Sequence, residues 1–223
     1  MEELKYTLIT DGSSDNTLLE IIQWSINDLY PKLAIDGKFC DFRCLPNRVE
    51  LGNVLQRIKI ANFYYPFDVC FYHRDAENTN VKDILITREN EIINALPENL
   101  RNKVVCIIPV KMMETWLLTN ETAIKAAAGN RNYKEVLNIP SVSKLENIQD
   151  PKDLLHSLLR EASGNTGRRL KQFNVHQAVH LVAENTDDFS PLRKLEAFKK
   201  FEENLKNCIN SVLKEKNIIF NMD

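Results

Sequence analysis

The 223 residues predict an α/β protein, with a mainly parallel sheet covered by helices on both faces and a helical C-terminal part. Three observations carry this expectation. Short β-rich runs alternate with runs of helical periodicity through the first half of the chain. Two of those runs, residues 67–72 and 103–110, are apolar almost throughout, the pattern of central parallel strands buried on both faces. Beyond about residue 121 the strand signal stops and the helical pattern continues alone.

Residues 5–10 form the first strand, which ends in Asp11-Gly12. Ser14 or Asp15 is expected to cap the helix that follows, where Leu18, Leu19, Ile22, Ile26 and Leu29 recur at helical spacing and Pro31 sits just past the end. A second strand is expected over 39–45, with Cys40, Phe42 and Cys44 alternating against Asp41 and Arg43. Residues 49–61 read as a helix with Val54, Leu55 and Ile58 on one face, and Pro66 resets the chain. The strand over 67–72 ends in His73-Arg74-Asp75-Ala76-Glu77. A helix over 81–96 ends at Pro97. The strand over 103–110 runs into Lys111-Met112-Met113-Glu114-Thr115-Trp116-Leu117-Leu118, the start of another helix. Such βα alternation implies right-handed crossovers and a parallel sheet. Ligands bind such sheets at the carboxyl ends of the strands. Asp11, Asp75 with Glu77, and Glu114 each fall just past a strand end, so all are expected on one edge.

In the second half, residues 123–128 are helical and end at Gly129, and 140–143 form a loop. Asp150 caps a helix running to about 162, with Pro151 at its first position. A polar loop over 163–167 leads to Arg168, Arg169 and Lys171. Residues 176–183 are helical. Ser190-Pro191 opens the last helix, where Leu195, Phe198, Phe201 and Leu205 make a buried stripe. The expected organisation is an α/β domain over 1–120 and a helical subdomain over 121–223 packed on it, with no internal repeat or low-complexity linker.

Composition is that of a soluble globular protein, at 43% hydrophobic and 27% charged residues. The net charge of -2 argues against a generic basic nucleic-acid binder. It leaves room for an enzyme whose metal ions offset phosphate charge. Five cysteines, mostly in apolar runs, read as reduced thiols of a cytoplasmic protein. Zinc-ligand spacing is lacking, with four histidines and no helpful cluster. The first residues do not read as a signal peptide, and no run approaches the ~20 apolar residues of a membrane span.

The acid-glycine turn after the first strand, the βα alternation and the acidic end of a later strand together resemble the Toprim domain. That domain occurs in topoisomerases, primases and nucleases of the overcoming-lysogenisation-defect type. Glu114-Thr115-Trp116-Leu117-Leu118 is similar to a Glu-x-Trp-Leu-Leu segment of small Toprim-related bacterial proteins associated with ATPases and phage-defence loci. The segment from Ser190-Pro191 to Leu205, with Phe198-Lys199-Lys200-Phe201, resembles the last helix of that family. The resemblance implies a Toprim or Rossmann-like fold, Mg2+ or Mn2+ as cofactor, and a nuclease or phosphotransfer activity on nucleic acid, DNA first. It also implies an ATPase partner protein and admits a homo-oligomer. Two positions depart from the pattern. Asp11 stands where the family has Glu, and His73 stands where the first acid of Asp-x-Asp is expected. Glu77 is a candidate replacement. Histidine holds a hard cation less well than a carboxylate does.

The candidate metal ligands are therefore Asp11, Asp75, Glu77 and Glu114. Asp11, Asp75 and Glu114 are the candidate catalytic groups, and Lys111, Arg74, Arg168 and Arg169 the candidate phosphate binders. Each group also has an ordinary reading. Asp11-Gly12 can be a turn alone, Asp75 and Glu77 solvated loop charges, and Glu114 a favourable acid at a helix start. His73 can be structural and Trp116 core. The loop over 164–167 lacks the preceding strand of a phosphate loop. A non-catalytic binding or regulatory subunit is the alternative function. A small-molecule phosphatase or nucleotide-binding protein of the same α/β class is a third.

Overall fold

The structure, a computed structural model, describes residues 3–46, 50, 52–76 and 81–216. Four parallel strands form one sheet: β1 (Glu3–Ile9), β2 (Ala34–Phe39), β3 (Val69–His73) and β4 (Val104–Ile107), in the order β2-β1-β3-β4. β3 and β4 are buried along their whole length. Their apolar character follows from helices lying on both faces.

The second strand lies upstream of its expected place. Residues 34–39 pair with β1 from Glu3↔Ala34 to Leu8↔Phe39, whereas Phe42–Cys44 is a 3-10 turn opened by Asp41, whose side chain accepts from the Arg43 amide. The reason is positional. β2 is an edge strand and only partly buried, so Asp36 and Lys38 are tolerated within it and pair with each other at 2.8 Å. Its alternation is therefore weak in sequence. Gly37 lets the Tyr6 ring pack against β2, since a Cβ there would come within 2.3 Å of that ring and displace it.

The helices are α1 (Leu18–Leu29), α2 (Val54–Tyr64), α3 (Val81–Ile93), α4 (Glu98–Arg101), α5 (Glu114–Leu117), α6 (Glu121–Ala127), α7 (Pro151–Ser163), α8 (Gly167–Gln172), α9 (Val175–Glu184) and α10 (Glu196–Glu215). Local signals explain their starts. Asn53 and Gln56 form a reciprocal capping box on α2. Asp150 accepts from the Asp153 amide, Pro151 opens α7, and Gly164 closes it at φ 65°. α1 and α10 share one face of the sheet: Tyr30 Oη meets Asn210 Oδ1 at 3.0 Å, and Phe201 of α10 packs on Phe71 of β3. With right-handed crossovers the β2-to-β3 connection, and so α2, covers the other face. Residues of the C-terminal helices join the same apolar cluster as the sheet, Trp116 packing against Phe198 and Phe201.

The strand order places a switch point between β1 and β3. The connection leaving β1 goes to β2 on one side, and the chain returns past β1 to β3 on the other. The carboxyl end of the sheet opens into a crevice at such a point.

Candidate functional site

A cleft of about 210 Å³ lies at the carboxyl ends of β1 and β3, lined by Asp11, Asp15, His73, Arg74, Asp75 and Arg88. Asp11 follows β1 directly, and Asp15 sits in the 3-10 turn Ser13–Thr17. His73 is the last residue of β3, with Arg74 and Asp75 just beyond it. Arg88 reaches in from α3. The segments that follow β1 and β3, with Arg88 from α3, thus bring acid and base together at the switch point.

His73 organises the cleft floor. Its side chain is 2% exposed. Nε2 lies 3.1 Å from Asp75 Oδ1, and Nδ1 lies 3.4 Å from Asp15 Oδ2, a charge contact without good hydrogen-bond geometry. Burial alone would push the imidazole pKa down, but contact with the Asp15 and Asp75 carboxylates outweighs it and raises the pKa to about 9. At neutral pH the ring is an imidazolium held between two carboxylates.

Asp11 is half exposed and pairs with Arg57 of α2. The buried Tyr72 hydroxyl lies near this pair; burial raises its pKa, against the pull of the Arg57 guanidinium. Arg88 bonds Glu91 at 3.0 Å, and Arg74 stands 3.6 Å from the same carboxylate. Glu91 Oε2 thereby holds both guanidiniums together.

The expected site residues are distributed as follows. Asp11, Arg74 and Asp75 line the cleft. Glu114 is buried at 5% exposure, does not line the cleft, and meets Lys152 Nζ of α7 at 3.2 Å. Lys111 is also outside the cleft lining. It holds φ 65° in a tight turn closed by Met112 N–H donating to Val110 O at 2.9 Å. Arg168 and Arg169 are exposed on α8, again away from the cleft lining. Glu77 lies outside the described residues. Asp15, Arg57 and Arg88 were missed. Ser14 or Asp15 is expected to cap the following helix, but Gly12 holds the cap position of the 3-10 turn and Thr17 that of α1, neither with a side-chain cap. Arg57 and Arg88 sit mid-helix, and sequence spacing carries no signal that such residues reach a strand end.

Among the described residues no group of three or more His, Cys, Asp and Glu side chains is arranged to hold a metal ion. A closed, all-protein cage is therefore not what this set offers. Magnesium is commonly held otherwise, by one or two carboxylates, several waters and the phosphates of its substrate. The half-exposed Asp11 and the partly exposed Asp75, facing a cleft with two arginines, fit that arrangement. His73, charged and committed at both nitrogens, does not serve as a ligand.

No family model matches the chain, and no solved structure matches it. The chain is similar to UPF0260 protein VV2402 of Vibrio vulnificus (strain YJ016), at 28% identity over 129 residues, which is 54% of this chain and 89% of that protein.

Proposed function

We propose that the cleft is a phosphoester site and that the protein is a divalent-metal-dependent nuclease or related phosphotransfer protein acting on nucleic acid. One observation carries the reading: Asp11, Asp15 and Asp75 converge with Arg74 and Arg88 at the switch point of a parallel sheet. Oxygen donors beside guanidinium forks are the chemistry that a cation-bound phosphate needs. Asp11 and Asp75 present carboxylate oxygens to the cation. Arg74 and Arg88 orient phosphate oxygens, and His73 fixes the Asp75 carboxylate in place. When bound, magnesium or manganese supplies Lewis-acid polarisation of the phosphate. The likeness to Toprim-related, ATPase-associated proteins supports the same chemistry and an ATPase partner.

A second reading, a non-catalytic Toprim-like binding or regulatory subunit, has its own support. Each described acid at the strand ends already has a cation: Arg57 for Asp11, His73 for Asp15 and Asp75, Lys152 for Glu114. The two are separated by incubating the full chain with plasmid and single-stranded oligonucleotide plus Mn2+ or Mg2+. The enzyme reading expects cleavage that falls roughly 100-fold or more in Asp11→Ala and Asp75→Ala, the size seen when a transition-state contact is removed. Absence of cleavage, alone and with an ATPase partner, selects the second reading.

A further inference from the structure

We infer that α8 and the first turn of α9 form a docking face for the sugar-phosphate backbone of nucleic acid, separate from the cleft. The inference names the partner surface of the proposed phosphoester site and rests on that reading for its biological sense.

The charge pattern is the first ground. Between Glu161 and Glu184 the chain carries no Asp or Glu, yet it holds Arg168, Arg169, Lys171, His176 and His180. In a protein of net charge -2 this is a segregated basic segment. Arg168, Arg169 and Lys171 are exposed. Among the described residues they take part in none of the ion pairs that engage Lys38, Arg43, Arg57, Lys125, Lys152 and Arg193 elsewhere.

The second ground is what α8 does not do for the fold. It contributes no buried residue. Its flanking residues Asn165, Thr166, Gln172 and Gln177 are neutral hydrogen-bonding groups around the three cations. Guanidinium forks with amides and hydroxyls beside them match phosphate and sugar oxygens. The large apolar side chains exposed among the described residues are Phe63, Ile86 and Val136, none of them in this face. It therefore lacks the apolar anchors that seat a helix in a bilayer and the aromatic centre of a protein–protein interface. Charge complementarity to a polyanion remains its one recognition element.

The third ground is placement. α9 packs against the Ser13–Thr17 turn that carries Asp15. The rings of His176 on α9 and His156 on α7 meet with centroids 5.3 Å apart, and Lys152 of α7 reaches Glu114 at the sheet edge. The basic segment thus runs directly into α9, a helix docked against the turn at the carboxyl end of β1.

The test uses fluorescence anisotropy with a labelled single-stranded oligonucleotide and the full chain in EDTA, so that binding is read without cleavage. Wild type is expected to bind. The triple charge reversal R168E/R169E/K171E is expected to weaken binding at least tenfold and to flatten the slope of log K against log salt by about 2, at roughly 0.7 per lost phosphate contact on a single strand. Thermal melts of the variant should match wild type, since all three side chains are exposed and form no ion pair among the described residues. Lys38→Glu, a charge reversal on the edge strand β2, should bind as wild type does, and because EDTA excludes metal-dependent cleavage the binding result stands whether or not the cleft is catalytic. Failure of wild type to bind, or unchanged affinity and salt slope in the triple variant, overturns the inference. Equal competition by polyglutamate overturns nucleic acid as the partner class and identifies an acidic protein instead.

Discussion

His73 is the residue on which the site's electrostatics turn. A buried imidazole with no partner would be neutral, but this one is clasped by Asp15 and Asp75 and titrates at about 9. Its folded pKa lies above the unfolded value of 6.5. The stabilisation it provides is therefore fully present below pH 6.5 and is lost as pH rises through about 9. At ~1.4 kcal/mol per pKa unit, the loss is on the order of 3 kcal/mol. Urea melts at pH 6 and pH 9.5 should show that decline in wild type and a much smaller one in His73→Gln; equal declines would remove the clasp from the account. Lys111 offers a second residue-scale prediction. A non-glycine residue at φ 65° costs roughly 1–3 kcal/mol, and glycine relieves it while adding unfolded-state entropy. Lys111→Gly should leave the protein about 1 kcal/mol more stable by chemical denaturation. A destabilised variant would mean that the lysine side chain holds the turn.

At the scale of elements, legibility followed burial. β3 and β4 are plain in sequence because both faces are covered, and apart from the terminal His73 each strand is apolar. β2 was misplaced because an edge strand admits Asp36, Gly37 and Lys38, and no periodicity survives that. The site was legible only in part for a related reason. Residues directly after strands, Asp11 and Asp75, announce themselves by position. Arg57 and Arg88 come from the middle of helices and depend on packing that local pattern does not encode. The buried stripe of the last helix is legible, although Ser190-Pro191 opens a 3-10 turn and α10 itself starts at Glu196; Phe198 meets Trp116 edge-on, and Phe201 packs against Trp116 and against Phe71 in the sheet. Truncating one of these large side chains leaves a cavity worth about 3–5 kcal/mol. Phe201→Ala should lower stability by that amount in equilibrium unfolding. A loss under 1 kcal/mol would show that α10 is not part of the sheet's core.

At the scale of the whole molecule, charge is sorted rather than scarce. Acids gather at the switch point, each already matched by an imidazolium or guanidinium, while α8 carries an exposed basic segment that forms no ion pair among the described residues. A protein so arranged has little hold on a bare divalent cation, because the carboxylates would have to give up an internal partner for it. A phosphodiester changes the balance. On the proposed reading its oxygens would supply the remaining donors to a cation held by Asp11 and Asp75, and Arg74 and Arg88 would gain a phosphate to hold. Metal affinity and substrate affinity should therefore be linked, each strengthening the other by the same factor. Titration calorimetry of the full chain with Mg2+ should give no saturable heat up to about millimolar concentration in the absence of oligonucleotide. With a cleavage-resistant phosphorothioate strand present, a binding isotherm should appear, and it should be lost again in Asp75→Ala. Tight magnesium binding to the bare protein would instead mean that the His73 and Arg57 contacts yield readily and that the acids form a resident metal centre. No binding under either condition would leave the cleft as a neutralised structural network.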